Sequence, residues 1–502
     1  MKIFSSEQIR DIDAYTIANE PIASIDLMER ASDALFGWIA KNLPTSNKYI
    51  FVCGPGNNGG DGLAVARMMF FAGYNIEVCY LNSASYSVDF SINLSRLKKN
   101  NVYLKEMLND SDLPVIKQSD IVIDALYGSG LSRPIDDIGA KLVQIINQSG
   151  AYVVSVDIPS GLFSNENPYP NANPVVRATV CLTLQFPKLS FFFVENEQYL
   201  NRWQALPIGL HPRVIEEKMT PYYFIDKADI LSILKPRTVF SHKGTYGHCL
   251  VIAGSYGMIG AAVLCAKATV KSGAGLVTVH VPKCGYSIVQ QSVPMAMCKV
   301  DKNEHFITSI LDIDKHSSIC IGPGLGTNPE TVKVLEKLIS DIKVPLVIDA
   351  DALNIISENK ALLSSLPENT IITPHPGEFD RLFGKSISGY ERLNSAIKAA
   401  KQYKLIIVLK GAYTQIVNPD GFVFFNSTGN AGMATGGSGD VLTGVIGGLL
   451  AQGYLPLNAA KLGVYFHGLA GDIAKINLGE TSLSAQNIEE SLSLAFKYLE
   501  NQ

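Results

Sequence analysis

Apolar residues in the first half of the chain gather in short runs rich in β-branched and aromatic side chains, each stopping at Gly, Asp or Asn. YIFVCG, IEVCYL, DIVIDAL, YVVSVDIPSG and ATVCLTL are such runs, and they read as strands buried on both faces. Segments with helical spacing, LAVARMMFFAG and IGAKLVQIINQSG, separate them, and residues 5 to 41 carry helical patterns of their own. Strand and helix in alternation predict a parallel sheet. Around WQALPIGLHPRVIEEKMTPYYFIDKADI the strand rhythm stops while proline and charge rise, which puts a domain boundary near residues 212 to 225. The rhythm resumes with HCLVIAGS, AGLVTVHVP, SICIGPGLG, PLVIDADALN, NTIITPHPGEF and KLIIVLKGA, then a hairpin pattern, TQIVNPDGFVFFN. Helices close the chain after Gly439, among them LNAAKLGVYFHGLAGDIAKI.

Composition narrows the class. At 502 residues the chain exceeds one ordinary core of roughly 150 residues and fits two large α/β domains. With 47% apolar and 18% charged residues it is globular. A net charge of −4 supplies no basic surface for nucleic acid. The N-terminus, MKIFSSEQIRDIDAYTIANE, places charges where a signal peptide needs an apolar core, and no run reaches the roughly 18 apolar residues of a membrane span. A soluble, cytoplasmic protein is expected, with neither nucleic acid nor membrane as partner. Cysteines 53, 79, 181, 249, 265, 284, 298 and 320 lack C-x-x-C spacing, and several lie in strand-like runs. They read as reduced core residues, with metal ligation a remote alternative.

The first glycine loop, GPGNNGGDG from Gly54 to Gly62, stands between a strand and a helix as a dinucleotide-binding turn would. The acidic ribose ligand such a fold needs is missing, because the next strand ends CYLNSAS. An ordinary NAD-dependent oxidoreductase is therefore disfavoured. The loop offers instead Asn57, Asn58 and Asp61, while Asp124 and Asp157 stand at the C-terminal ends of later strands, where open parallel sheets place ligands. An Asp there is also an ordinary turn former. Lys188, in FPKLSFFF, either enters that cleft or lies solvated.

The second glycine loop, GNAGMATGGSGDVLTG from Gly429 to Gly444, runs straight into an apolar helix carrying Asp440. Backbone N–H groups at Gly437, Ser438 and Gly439 can converge there on an anion, and Asp440 can deprotonate a substrate hydroxyl. No G-x-x-x-x-G-K-[ST] is present, so this is not a P-loop enzyme. KGAYT (410–414) follows a strand and suits nucleotide contact, and GPGLG (322–326) gives a second close backbone approach to an anion. His375 sits between two prolines, a poor setting for a core histidine and a good one for ligand contact. Asp349 and Asp351 of DADALN could lie near Mg²⁺, although a helix N-cap explains Asp351 equally.

GPGNNGGDGL, DALYGSGL and SVDIPSG, in that order over residues 1 to 215, resemble the NAD(P)HX epimerase module of NAD(P)H-hydrate repair proteins. HKGTYG, AGSYGMIGAA, GPGLG, DADALN, TPHPGE, LKGAYT and GNAGMATGGSGDVLTG resemble the ADP- or ATP-dependent NAD(P)HX dehydratases, over residues 226 to 500. The resemblance implies a Rossmann-like three-layer parallel-sheet domain (1–215) and a ribokinase-like α/β domain (226–502). It implies epimerisation of hydrated NADH or NADPH at C6 in the first, and nucleotide-dependent dehydration in the second, by phosphorylation of the C6 hydroxyl and elimination. Carried over by motif, Asn57, Asn58, Gly59, Gly60, Asp61, Gly128, Ser129, Gly130, Leu131, Ser132, Arg133, Pro134 and Asp157 would contact the hydrate in the epimerase. Asn58, Asp124 and Ser160 would hold K⁺, their oxygens suiting a hard cation. Asp157 and then Lys188 are the expected proton carriers.

In the dehydratase, Ala261, Gly324, His375, Pro376, Gly377, Glu378, Phe379, Asp380, Arg381 and Asp440 would meet the hydrate, with Asp440 catalytic. Lys410, Gly411, Ala412, Tyr413, Thr414, Asn430, Gly436, Gly437, Ser438 and Gly439 would meet ADP or ATP, with Mg²⁺ as cofactor. Ala431 stands where the family pattern has Pro, which puts the loop's rigidity in question. NADHX and NADPHX are the expected partners, and a homo-oligomer is expected. Two rival readings stay open: a vitamin or sugar kinase in the second half, and a non-catalytic scaffold in the first.

Overall fold

The computed structural model describes residues 1–310 and 313–500; positions 311, 312, 501 and 502 of the expected second domain lie outside the described residues. The chain divides into two compact units, Met1–Tyr222 with Ile387–Tyr390, and Tyr223–Ser386 with the chain from Glu391 onward.

In the first unit, strands β1 (Lys48–Cys53), β2 (Asn75–Leu81), β3 (Leu104–Met107), β4 (Ile121–Ala125), β5 (Tyr152–Val156), β6 (Val180–Leu184) and β7 (Trp203–Leu206) form a seven-stranded sheet. Every pairing is parallel, in the order β3-β2-β1-β4-β5-β6-β7. That is doubly-wound order with a further edge strand. Both faces of β1 are buried: Tyr49, Phe51 and Cys53 pack among Leu35, Leu63 and Phe90, while Ile50 and Val52 pack among Leu142, Val143 and Ile146. Alternation therefore disappears from the sequence of β1, as it must where helices cover both sides. The expectation that strand rhythm ends before WQAL is corrected, since Trp203–Leu206 pairs with β6. Its mixed exposure, typical of an edge strand, hid it. The order reverses between β1 and β4, and a crevice opens there at the strands' C-terminal ends.

The second unit's sheet runs through β8 (Tyr222–Phe224), β9 (His248–Ile252), β10 (Leu276–Val281), β11 (Met297–Val300), β12 (Ser318–Ile321), β13 (Leu346–Ile348), β14 (Ile371–Ile372), β15 (Ile406–Leu409), β16 (Gln415–Val417) and β17 (Val423–Phe425). Its order is β8-β17-β16-β15-β14-β13-β12-β9-β10-β11. Strands β9 to β15 pair in parallel, and β15-β16-β17 are antiparallel, the expected hairpin included. Helix Ser438–Ala451 is the centre of this unit, with every residue from Val441 to Ala451 buried. Its glycines make that placement possible. A Cβ at Gly444 would fall 2.1 Å from the Cys265 carbonyl oxygen, and one at Gly447 1.9 Å from Cys320 Sγ, so no larger residue fits without moving helix Ile259–Lys271 or the sheet. Among the described residues no helix is long and apolar enough to cross a membrane.

Candidate active sites

The first site forms at the β1/β4 crevice. Strand β1 ends in Gly54-Pro55-Gly56, and helix Asn57–Phe71 starts at once with Gly56 as its N-cap and no side-chain cap. The turn closes tightly: a Cβ on Gly54 would lie 1.7 Å from the Leu126 carbonyl oxygen, and one on Gly59 1.8 Å from the Gly54 carbonyl oxygen. Gly59 and Gly60 are buried, Gly60 against Met28, whereas Asn57 is exposed. Asn58 is 9% exposed and its Nδ2 finds no acceptor; its side chain lies against Gly128. The turn that follows β4 brings Gly128 and Ser129 to the crevice, while Gly130, Ser132, Arg133 and Pro134 face solvent and Leu131 packs toward the core.

Asp124, at the end of β4, is fully buried and accepts hydrogen bonds from Ser155 Oγ (2.7 Å), Ser160 Oγ (2.6 Å) and the Ser160 amide (3.0 Å). No cation touches it among the described residues, and burial pushes its carboxyl up against the pull of the Ser160 and Ser155 hydrogen bonds. Asp157, just past β5, takes a left-handed backbone with φ +67°, a strained conformation for a residue with a side chain. It places the carboxylate on Lys188 Nζ at 2.7 Å. Lys188 is 1% exposed, not solvated, and its other two hydrogen bonds go to Thr183 Oγ1 (2.9 Å) and the Phe186 carbonyl (3.0 Å). Burial works to raise Asp157, but the Lys188 charge and hydrogen bonds outweigh it and hold the carboxyl below its ordinary range. Asp61 behaves oppositely: burial, with the Asp157, Asp13 and Asp89 charges, raises it well above that range.

The second site lies where strands β9 and β12 to β15 end. Gly437 is the N-cap of helix Ser438–Ala451 at φ +89°, a conformation that glycine adopts freely. The first intrahelical amide bond runs from Val441 to Gly437, leaving the first-turn N–H groups of Gly439 and Asp440 free for an anion. Lys410, following β15, reaches Asp349 Oδ1 at 2.9 Å and Glu378 Oε2 at 3.7 Å. Thr443 Oγ1 holds the other Asp349 oxygen at 2.8 Å. A Cβ on Gly439 would stand 3.2 Å from Lys410 Nζ, so the lysine points at the helix start. Burial, then the Asp349 charge, raises Asp440 to about 7 despite Lys410.

The remaining expected residues divide. Ala261 and Gly324 meet, since a Cβ on Gly324 would lie 3.0 Å from Ala261 Cβ. His375 caps helix Pro376–Phe383 through Nδ1 and keeps half its side chain exposed beside Pro376 and Gly377. Glu378 completes that cap with an oxygen 2.8 Å from the His375 amide. Arg381 is exposed and donates to Asn354 Oδ1 (2.9 Å). Phe379 instead is fully buried against Phe383, and Asp380 forms a bidentate pair with Arg392 at 3.0 Å; both turn away from the site. Asp351 is not an N-cap. That position belongs to Asp349, and Asp351 accepts from the Gly326 amide (2.8 Å) and Asn354 Nδ2 (3.3 Å). Each oxygen of both aspartates already accepts a hydrogen bond, and no group of three or more His, Cys, Asp or Glu among the described residues suits a metal. Gly411 and Ala412 are exposed in the turn after Lys410, which Thr414 closes by donating to the Gly411 carbonyl (3.0 Å); Tyr413 is half-buried beside Phe224. Gly436 is exposed with open space where a Cβ would go.

Two residues of the second site escaped the sequence reading, both on helix Pro456–Leu478. Asp472 accepts from the Gly429 amide (2.8 Å) and Asn430 Nδ2 (2.9 Å). His467, buried and lowered to about 4 by that burial, stands 3.3 Å from Ser438 Oγ as a neutral ring. The loop at Ala431 is thus tied by a carboxylate from another helix. Ala431 opens a short 3₁₀ turn capped by Asn430, whose Oδ1 accepts from Gly432.

A parallel α/β unit with an aspartate and open amides at the start of its central helix defines the ribokinase-like class. A ribokinase-like superfamily protein of Enterococcus faecalis aligns with it at TM-score 0.50 and 27% identity, over 56% of this chain and 98% of that one. The NAD(P)H-hydrate dehydratase family matches residues 249–493, and the family of YjeF-related protein N-termini matches residues 24–190. A bifunctional NAD(P)H-hydrate repair enzyme of Moorella thermoacetica is 33% identical over 100% of this chain and 98% of its own. That of Escherichia coli is 32% identical over 93% and 88%. This chain belongs to the bifunctional NAD(P)H-hydrate repair enzymes.

Proposed function

We propose that the chain restores hydrated NADH and NADPH, its first unit interconverting the C6 epimers and its second dehydrating one of them at the expense of ADP or ATP. The observation that carries the reading is Asp440, a carboxyl poised near neutrality at an open helix N-terminus beside Lys410. Asp440 takes the proton of the C6 hydroxyl as that oxygen attacks the terminal phosphorus of the nucleotide. Lys410 and the Gly439 and Asp440 amides face the charge that develops on the transferred group. The phosphate then leaves with the C6–O bonding pair, and loss of the C5 proton restores the double bond. Ala261, Gly324, His375 and Arg381 are assigned to the hydrate, and Lys410–Thr414, Asn430 and Gly436–Gly439 to the nucleotide. Because Asp349 is committed to Lys410 and Thr443, Mg²⁺ is expected to ride on the nucleotide's phosphates and water, as this ion commonly does.

In the first unit, Asn57, Asn58, Asp61, the 128–134 turn and Asp157 are assigned to the hydrate, with Asp157 as base and Lys188 holding it ionised. Asn58, Asp124 and Ser160 suit K⁺ through their oxygens: a buried carboxylate without a countercharge, a hydroxyl on it, and the side-chain carbonyl of a buried amide. Bound there, K⁺ would neutralise Asp124. The rest of the reading is a soluble homo-oligomer acting on NADHX and NADPHX. The test is a pair of variants assayed on resolved epimers. Asp440→Asn should stop NADH recovery while R and S still equilibrate, and Asp157→Asn should do the reverse. Loss of both activities in each variant would refute separate sites.

A further inference from the structure

Helix Ser6–Asn19 carries a carboxylate that no motif contains. Ser6, Ile9 and Asp13 are spaced by three and four residues and so share one face. Ser6 Oγ donates to the Ser129 carbonyl at 2.5 Å and to Ser164 Oγ at 3.1 Å, which fixes this face over the turn that meets Asp157. Ile9 and Ile12 pack with Phe186, whose carbonyl holds Lys188. Asp13, one turn farther along, comes within electrostatic reach of Asp157, Lys188 and Asp61.

We propose that Asp13 is a catalytic residue of the first site, the acid that works opposite the ionised Asp157; this rests on the epimerase reading. Asp13 and Asp157 both feel the charge of Lys188, Asp61 lies within electrostatic reach of both aspartates, and Asp89 adds a further negative charge beside Asp61. All three Lys188 hydrogen bonds are accounted for, one of them on Asp157. Asp13 and Asp61 have no side-chain hydrogen bond or ion pair among the described residues. Like charges that close cannot all ionise, so Asp157 keeps the charge and the other two keep a proton. Asp61 is 7% exposed, whereas Asp13 retains contact with water and can reload. Burial, reinforced by the Asp157 charge, raises Asp13 to about 7, the range in which an acid and its base both work near neutrality. The unpartnered Asn58 Nδ2 marks where an acceptor on the ligand would sit.

The step balances without any co-reactant. In the hydrate the C6 hydroxyl is on the carbon next to ring nitrogen N1. Asp13 gives its proton to that oxygen, the C6–O bond breaks with its pair on departing water, and the N1 lone pair forms C6=N1. Water adds to the opposite face as the C6=N1 pair returns to nitrogen, and its surplus proton passes to Asp157. Exchange with solvent resets both carboxyls.

The test uses the full chain, with R/S equilibration of NADHX followed by chromatography from pH 5.5 to 9 and dehydration of the S epimer as a control. Asp13→Asn should lower the epimerisation kcat about 100-fold with KM nearly unchanged. The decline of wild-type activity above about pH 7 should vanish from its residual rate, and dehydration should stay at the wild-type level. Asp13→Glu should regain at least a tenth of the rate with the decline displaced. An Asp13→Asn rate within threefold of wild type, or a residual rate with the decline unmoved, overturns the proposal. If Asp13→Asn melts the first unit, Asp13→Glu decides, and an unmoved profile there also overturns it. Epimerisation intact in both Asp13→Asn and Asp157→Asn would instead sink the epimerase site reading itself.

Discussion

Asp440→Asn should make the second unit more stable and inactive at once. Raising a carboxyl from 3.8 to about 7 corresponds to about 4 kcal/mol at roughly 1.4 kcal/mol per pH unit. Asp440 keeps part of its surface in water and is one of the counter-charges of Lys410, so about half of that, ~2 kcal/mol, is the expected gain. The sign follows from proton binding. The folded chain holds this proton where the unfolded chain has released it, so the stability the group contributes is full below about pH 4 and is lost as pH rises through about 7. The variant escapes that loss. Its advantage over wild type should be under ~1 kcal/mol at pH 5 and reach ~2 kcal/mol at pH 8, or about 4–8 °C in Tm. Thermal melts of ligand-free protein at both pH values measure it, with the second unit's transition identified as the one that nucleotide shifts. Dehydration should fall by about a thousandfold. Equal or lower stability of Asp440→Asn at pH 8 would refute the reasoning.

Asp472→Ala removes two hydrogen bonds, on the Gly429 amide and the Asn430 amide group. It should raise the nucleotide KM about tenfold with kcat within threefold, measured by initial rates at saturating hydrate. Lys188→Met strands Asp157 in a buried setting, and should cost the first unit about 3–5 kcal/mol by denaturant unfolding while abolishing epimerisation. In that variant burial is no longer outweighed and lifts the Asp157 carboxyl, so the stability this group loses on acidification in wild type should instead be partly regained as pH falls and the stranded carboxylate takes up a proton.

What the sequence made legible was where physics constrains residue type locally. Gly437 must accept φ +89°, Gly54 and Gly59 leave no room for a Cβ, and a central strand such as Lys48–Cys53 is continuously buried and free of charge from Tyr49 onward because both faces are covered. Both glycine loops and the α/β class could therefore be read before any coordinates. Edge strands could not: Trp203–Leu206 and Met297–Val300 are short and half-exposed, so neither alternation nor a continuous apolar run marks them. Residues that act from another element were equally hidden. Asp472 and Asp13 lie on helices whose sequences show only one more surface carboxylate, and only the fold reveals that they face Asn430 and Asp157. Within TPHPGEFDR the motif carried Phe379 and Asp380 along with its exposed residues, although one fills the core and the other pairs with Arg392.

A single recovery experiment tests whether one chain carries both activities. Purified full-length protein is incubated with an equal mixture of R- and S-NADHX, K⁺, Mg²⁺ and either ADP or ATP, and the absorbance of reduced nicotinamide is followed to completion. With one of these nucleotides the entire mixture should return to NADH at a rate above spontaneous epimerisation. Recovery that halts at half would contradict the epimerase, and no recovery, or accumulation of a phosphorylated alcohol, would contradict the dehydratase.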